Sequence, residues 1–98
     1  MFDHLQPRHT KIEKVIAVRN GNVILEDHNR YPLNKSNLYF LSEMGEPVWD
    51  AERPAPDAHY IRVKLNDDGE TLSAYTTGRQ ACELDLKTGK LLSKLEFK

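Results

Sequence analysis

A single cysteine, Cys82, stands in a chain of 98 residues, so no internal disulfide can hold the molecule together. The longest nearly apolar runs, Val15–Val18 and Leu38–Leu41, fall far short of the roughly 20 residues that cross a bilayer, and no membrane association is expected. Neither sign of charge dominates: 14 Lys and Arg face 15 Asp and Glu, for a formal net charge of −1. That balance argues against charge-driven disorder and against a generic nucleic-acid binder. The opening residues hold no basic cluster followed by an apolar run, so neither a secretion nor a lipidation signal is expected, and the cytoplasm is the expected compartment. No Gly-x-Gly-x-x-Gly, phosphate-binding loop or Gly-x-Ser-x-Gly is present, which removes the common nucleotide and hydrolase signatures.

What the chain does have is alternation. Residues 1–10 carry Pro7, His4 and His9 without a sustained period, and are expected to form an N-terminal arm, either frayed or coiled into a short turn of helix. A single all-β domain is expected over 11–98. Lys14–Arg19 and Asn22–Glu26, joined by Asn20-Gly21, predict a hairpin, because Asn-Gly accepts the positive φ of a type I′ turn and Val and Ile pack well on a pleated surface. Tyr31-Pro32-Leu33 reads as a short edge strand, since Pro32 lacks a ladder donor. Strands are expected again at Leu38–Leu41, Pro47–Asp50, Tyr60–Leu65, Thr71–Thr76, Gln80–Leu86 and Leu91–Phe97. Ala51–Asp57, with Pro54 and Pro56, is expected to be the longest irregular loop. In Tyr60–Leu65 the alternation predicts Ile61, Val63 and Leu65 inside and Tyr60, Arg62 and Lys64 outside. In Gln80–Leu86 it gathers Cys82, Leu84 and Leu86 on one face. The fold class is therefore all-β: an antiparallel meander of eight or nine short strands, as a single curved sheet or a small sandwich.

A weak repeat links the middle of the chain to its C-terminal part. Leu38–Trp49 aligns with Cys82–Ser93 at an offset of 44 residues, so that Gly45 falls on Gly89, Phe40 on Leu84 and Val48 on Leu92. Leu84-Asp-Leu-Lys-Thr-Gly-Lys90 looks like the strand-turn-strand signature of quinoprotein-type propeller repeats. Residues 37–98 resemble small bacterial proteins of unknown function that carry one Leu/Ile-Tyr-x-Leu…Gly…Trp unit and one Asp-x-x-Thr-Gly-Lys-x-Leu unit. The resemblance implies propeller-blade-like hairpins and no active site, and two blade equivalents cannot close a ring of at least four.

The candidate chemistry is sparse. His4, His9, His28 and His59 show no tight ligand spacing and Cys82 has no cysteine neighbour, so no metal site is expected, and no cofactor. Asp67-Asp68-Gly69-Glu70 invites calcium, but the position of a closing Glu is Arg79, and a solvated hairpin turn fits better. His59 and Cys82 form a conceivable nucleophile pair, although Cys82 shares its face with Leu84 and Leu86, as a buried structural cysteine does. An enzyme is not expected.

Charge distribution is more informative. Residues 1–35 are net +2, residues 36–70 net −5 and residues 71–98 net +2. The acidic middle displays Glu43, Glu46, Asp50, Glu52 and Asp57 on turns and on the Pro-containing loop, where rigid scaffolds present partner contacts. Trp49 lies among them: a core anchor in the resemblance, an interface hot spot if exposed. The expected function is a non-catalytic protein-binding module, a small bacterial immunity or inhibitor protein that neutralises a basic toxin or nuclease through Glu43, Glu46, Trp49, Asp50, Glu52 and Asp57. The alternatives are a structural or oligomeric β module, monomeric or homodimeric through strand edges that Lys94, Glu96 and Lys98 guard, and, behind it, a small enzyme using His59 and Cys82.

Overall fold

The computed structural model describes residues 5–96 and contains eight strands and no helix there. They are β1 (Ile12–Val18), β2 (Gly21–Glu26), β3 (Leu38–Ser42), β4 (Pro47–Asp50), β5 (Tyr60–Leu65), β6 (Thr71–Thr76), β7 (Gln80–Asp85) and β8 (Leu91–Glu96). All pairings are antiparallel. The strands do not form one curved sheet, however: they divide into two four-stranded meanders, β1-β2-β3-β4 and β5-β6-β7-β8. The chain leaves β4, crosses the loop over 51–59 and starts again.

The short strand expected at Tyr31–Leu33 does not form. The Tyr31 amide donates to His28 O at 3.2 Å and the Lys35 amide to Pro32 O at 3.1 Å, which curls the segment into turns instead of a ladder. The β2–β3 connection, not the Pro-containing loop, is thereby the longest irregular stretch between strands.

The first hairpin is shifted by one residue from its expected turn. Val18 pairs with Gly21, so Arg19 and Asn20 make the connection and Gly21 already belongs to β2. Gly21 is needed for a different reason. A Cβ there would lie 2.0 Å from Leu41 O on the adjacent strand, so only glycine lets β3 approach.

One core is shared by both sheets. Val23, Leu25, Leu38, Phe40, Trp49 and Ala51 come from the first half, and Tyr60, Val63, Leu72, Ala74, Cys82 and Leu84 from the second. Fully burying a leucine such as Leu38, Leu72 or Leu84 contributes roughly 2 kcal/mol. Of the four register shifts, two in the second sheet change which side chains face the core. The register slips between Tyr60 and Arg62, which turns Tyr60 inward together with Val63 and leaves Ile61 41% exposed. A second slip at Glu83/Leu84 keeps Leu91 against the core but sends Leu95 to the outer face opposite Ala81. Phe97, expected on the same face as Leu91, lies outside the described residues.

The sheets are joined by polar contacts too. Asn37 donates from Nδ2 to Glu26 O at 2.8 Å and to Tyr60 O at 2.7 Å, and its Oδ1 accepts from the Tyr60 amide at 2.9 Å. Lys14 Nζ donates to Val63 O at 2.8 Å.

The outer face of the first sheet buries Ile24, Glu26 and Tyr39. The chain before β1 runs over it. The carboxylate of Glu26 accepts the backbone amides of Arg8 (2.6 Å), His9 (3.1 Å) and Thr10 (3.0 Å), and the Tyr39 hydroxyl. The Arg8 guanidinium lies 3.8 Å over the Tyr39 ring and pairs with Asp50 at 2.9 Å. From Arg8 onward, then, the arm is hydrogen-bonded to the domain; residues 1–4 lie outside the described residues. Burial pushes the Glu26 carboxyl up, but these donors outweigh it and hold it below the usual carboxylate range.

Candidate functional site

In an up-and-down meander, alternate connections fall at the same end, so β1–β2 and β3–β4 turn together, as do β5–β6 and β7–β8. The two sheets bring these hairpin ends to a common cleft of about 710 Å³. Val18, Arg19 and Asn20 line it from the first hairpin, and Phe40, Ser42 and Val48 from the second. Leu65, Gly69 and Glu70 line it from the third, and Asp85, Leu86 and Lys87 from the fourth. The lining therefore pairs aliphatic and aromatic surface with two cations, Arg19 and Lys87, and two carboxylates, Glu70 and Asp85. Its volume lies within the roughly 300–1,000 Å³ of ligand sites.

Local hydrogen bonds hold the turns in shape. Ser42 Oγ accepts the amides of Met44 and Glu46, both at 3.2 Å. Asp68 Oδ1 accepts the amides of Glu70 (2.8 Å) and Thr71 (3.0 Å). The latter arrangement is the side-chain-to-backbone turn in which Asp excels, and it lowers the Asp68 carboxyl through the Glu70 amide first. In the fourth hairpin Thr88 Oγ1 donates to Asp85 Oδ2 at 2.8 Å, and Gly89 closes the turn at φ +74°. Gly45 takes φ +81° at the matching place 44 residues earlier, so the repeat aligns β3 with β7 and β4 with β8.

The structure distributes the six sequence-predicted contact residues unevenly. Glu43 and Glu46 are exposed on the β3–β4 turn, next to the Ser42 wall of the cleft. Trp49 is not at the surface: it packs on Phe40 with ring centres 5.6 Å apart, and its Nε1 donates to Leu86 O at 2.9 Å. A Cβ on Gly89 would come within 2.5 Å of the Trp49 ring, so the indole is held between the two sheets as a core anchor. Asp50 is paired with Arg8. Glu52 accepts the Leu91 amide at 2.7 Å, and its backbone oxygen takes the Tyr60 hydroxyl at 2.6 Å. Asp57 is exposed in the 51–59 loop. Carboxylates at the cleft end are thus Glu43, Glu46, Glu70 and Asp85, with Asp67 exposed on the β5–β6 turn.

Arg19, Val48, Leu65 and Lys87 were missed as lining residues. The signal that could have found them is the parity of the meander, which puts odd-numbered connections at one end; how the second sheet sits on the first carries no mark in sequence.

The His59–Cys82 pair is not assembled. His59 Nε2 lies 3.0 Å from Pro32 O, and its ring stands edge-on to Tyr31, which in turn meets His9. Burial, then the Glu26 charge, pushes the Tyr31 hydroxyl up to about 12. Cys82 faces the core beside the Tyr60 hydroxyl, and burial raises its thiol, the reverse of what a nucleophilic thiolate needs. Among the described residues no group of three or more His, Cys, Asp or Glu is placed to hold a metal ion, and no helix is long and apolar enough to cross a membrane. Compared with known proteins, the chain matches no family model, no curated protein and no solved structure.

Proposed function

We propose that this chain is a non-catalytic protein-binding module that takes a basic partner at the hairpin end of its two sheets, as a small bacterial immunity or inhibitor protein acting in the cytoplasm on a basic toxin or nuclease would. One observation carries the proposal: hairpins from both sheets meet around an apolar-lined cleft whose flanking turns bear Glu43, Glu46, Asp67, Glu70 and Asp85. Such a site suits a lysine or arginine of the partner. The aliphatic stem lies along Val18, Val48 and Leu65, and the cationic head reaches Glu70 or Asp85. Turns already fixed by Ser42 and Asp68 lose little conformational entropy on contact, which favours affinity. Each sheet is a four-stranded antiparallel meander, the strand number of a propeller blade, and within this proposal the chain is a two-blade scaffold that uses its hairpin end for capture.

Calorimetric titration with an oligolysine peptide tests the reading. Binding should weaken at least about tenfold when Glu43→Lys, Glu46→Lys and Glu70→Lys are combined, and should fall with added salt. Unchanged affinity in the triple variant overturns it. A second reading, an oligomeric β module, is favoured by one particular feature, the open edge of β8.

A further inference from the structure

The four outer edges of the two sheets are protected unequally. β4 has four residues, starts on Pro47 and carries a bulge opposite Phe40/Leu41. β1 has a bulge at Ile12/Lys14, and Lys14 turns across to Val63 O. β5 is bulged at Tyr60/Arg62, and its Tyr60 backbone is already paired with Asn37. These are the devices by which natural sheets blunt their edges. Among the described residues β8 is the exception beyond its first position, where Glu52 takes the Leu91 amide. It is six residues long, its slip is confined to the Leu91 end, and Ser93–Glu96 pair regularly with Glu83–Gln80. Leu92 and Leu95 are 55% and 67% exposed.

We infer that β8 pairs antiparallel with β8 of a second copy of this chain, about a two-fold axis through Leu95. Register is decided by which side chains then face each other. With Leu95 on the axis, Lys94 stands opposite Glu96 of the second copy, and Glu96 opposite its Lys94, giving two opposed charge pairs. Moving the axis to Lys94 sets two ammonium groups face to face, which is destabilising. Lys94 and Glu96 therefore guard the edge against other strands while leaving one self-complementary register open. The outer face agrees. Arg62, Tyr75, Ala81 and Leu95 form one cross-strand row, and the two-fold continues it through Leu95 of the second copy into one eight-stranded sheet. An isologous contact of this kind closes on itself and makes a dimer, not a fibre.

Sedimentation equilibrium over a concentration series is the test. The full chain should approach twice its 11.3 kDa. Lys94→Glu makes both cross-axis pairs repulsive and should raise the dissociation constant about tenfold or more. The swapped variant, Lys94→Glu with Glu96→Lys, should restore it. Leu95→Lys, at a site already exposed to solvent, should give a monomer whose melting in dilute solution is unchanged. A wild-type monomer up to about 1 mM, a limit near 4 kcal/mol, overturns the inference; so does a dimer that ignores both Lys94→Glu and Leu95→Lys. Loss of the dimer in Leu95→Lys without rescue by the swap overturns the register. Oligolysine affinity and chain mass are independent readouts, so failure here leaves the cleft proposal standing, and the reverse.

Discussion

Asn37 and Tyr60 are paired as two strands would be: the carboxamide oxygen takes the Tyr60 amide at 2.9 Å, and the carboxamide nitrogen gives to the Tyr60 carbonyl at 2.7 Å. One side chain, from the residue just before β3, thus stands in for a peptide group at the edge of the second sheet. The same nitrogen also reaches Glu26 O at the end of β2. All three partners are backbone groups, and Asn37 is fully buried, so nothing else is at hand to satisfy them. Asn37→Ala should therefore cost about 3 kcal/mol, from buried donors and acceptors left unpaired. Urea unfolding of the variant measures this, with an unchanged denaturant slope. A loss below about 1 kcal/mol, the net worth of one ordinary hydrogen bond, contradicts the role.

Gly45 and Gly89 separate two reasons for needing glycine. Both adopt left-handed backbone, φ +81° and +74°, yet a Cβ at Gly45 meets open space whereas one at Gly89 meets the Trp49 ring at 2.5 Å. Gly45→Ala should cost about 1 kcal/mol from backbone strain alone. Gly89→Ala should cost about 3 kcal/mol, because overpacking adds to the strain, and the Trp49 emission should shift to the red. Equal losses at the two sites would mean that the indole yields freely.

Glu26 makes the domain acid-sensitive. Its folded carboxyl is held below the ordinary glutamate value of about 4.5, so the unfolded chain takes up the proton first. The stabilisation is present above about pH 4.5 and is lost as pH falls through the folded value. Thermal melts should show this decline below 4.5, and Glu26→Gln should flatten it. The same variant weakens the acceptor of the Arg8, His9 and Thr10 amides, so trypsin should cut after Arg8 faster at neutral pH. An unchanged acid profile in Glu26→Gln would assign the decline to other carboxylates.

Cys82 should be inert in the native state. It is buried beside Tyr60, and burial raises its thiol. Reaction with a chromogenic disulfide at neutral pH should follow global unfolding and accelerate with denaturant. Immediate stoichiometric labelling of native protein would contradict the placement of Cys82 in the core.

Much of the fold was legible because period-two alternation and turn residues are local. The sequence marks all eight strands to within one or two residues, along with a segment at Tyr31–Leu33 that curls into turns instead, and the all-β class follows from them. Three features were not legible. The bulge at Tyr60/Arg62 inverts the expected faces, since Tyr60 goes in and Ile61 out, and an inserted residue leaves no signature of its own in a short strand. A small sandwich was one of the two expected forms, but the place of division, with β4 not pairing with β5, is a long-range choice accompanied by the Asn37 contacts to Tyr60 and by Trp49 reaching Leu86 O. The acidic third was visible as composition, but Asp50 and Glu52 are occupied by Arg8 and the Leu91 amide, partners distant in sequence. Trp49 could be read as core or contact, and Gly89 beneath its ring decides for the core.

The proposal that a basic partner is captured at the hairpin end is tested most directly by amide chemical-shift mapping with an oligolysine peptide. Perturbations should cluster at Arg19–Asn20, Ser42–Glu46, Gly69–Glu70 and Asp85–Lys87, the turns that surround the cleft or flank it, and should vanish in the combined Glu43→Lys, Glu46→Lys, Glu70→Lys variant but persist in Glu13→Lys. Shifts spread over both sheets, or centred on the 51–59 loop around Asp57, would contradict it.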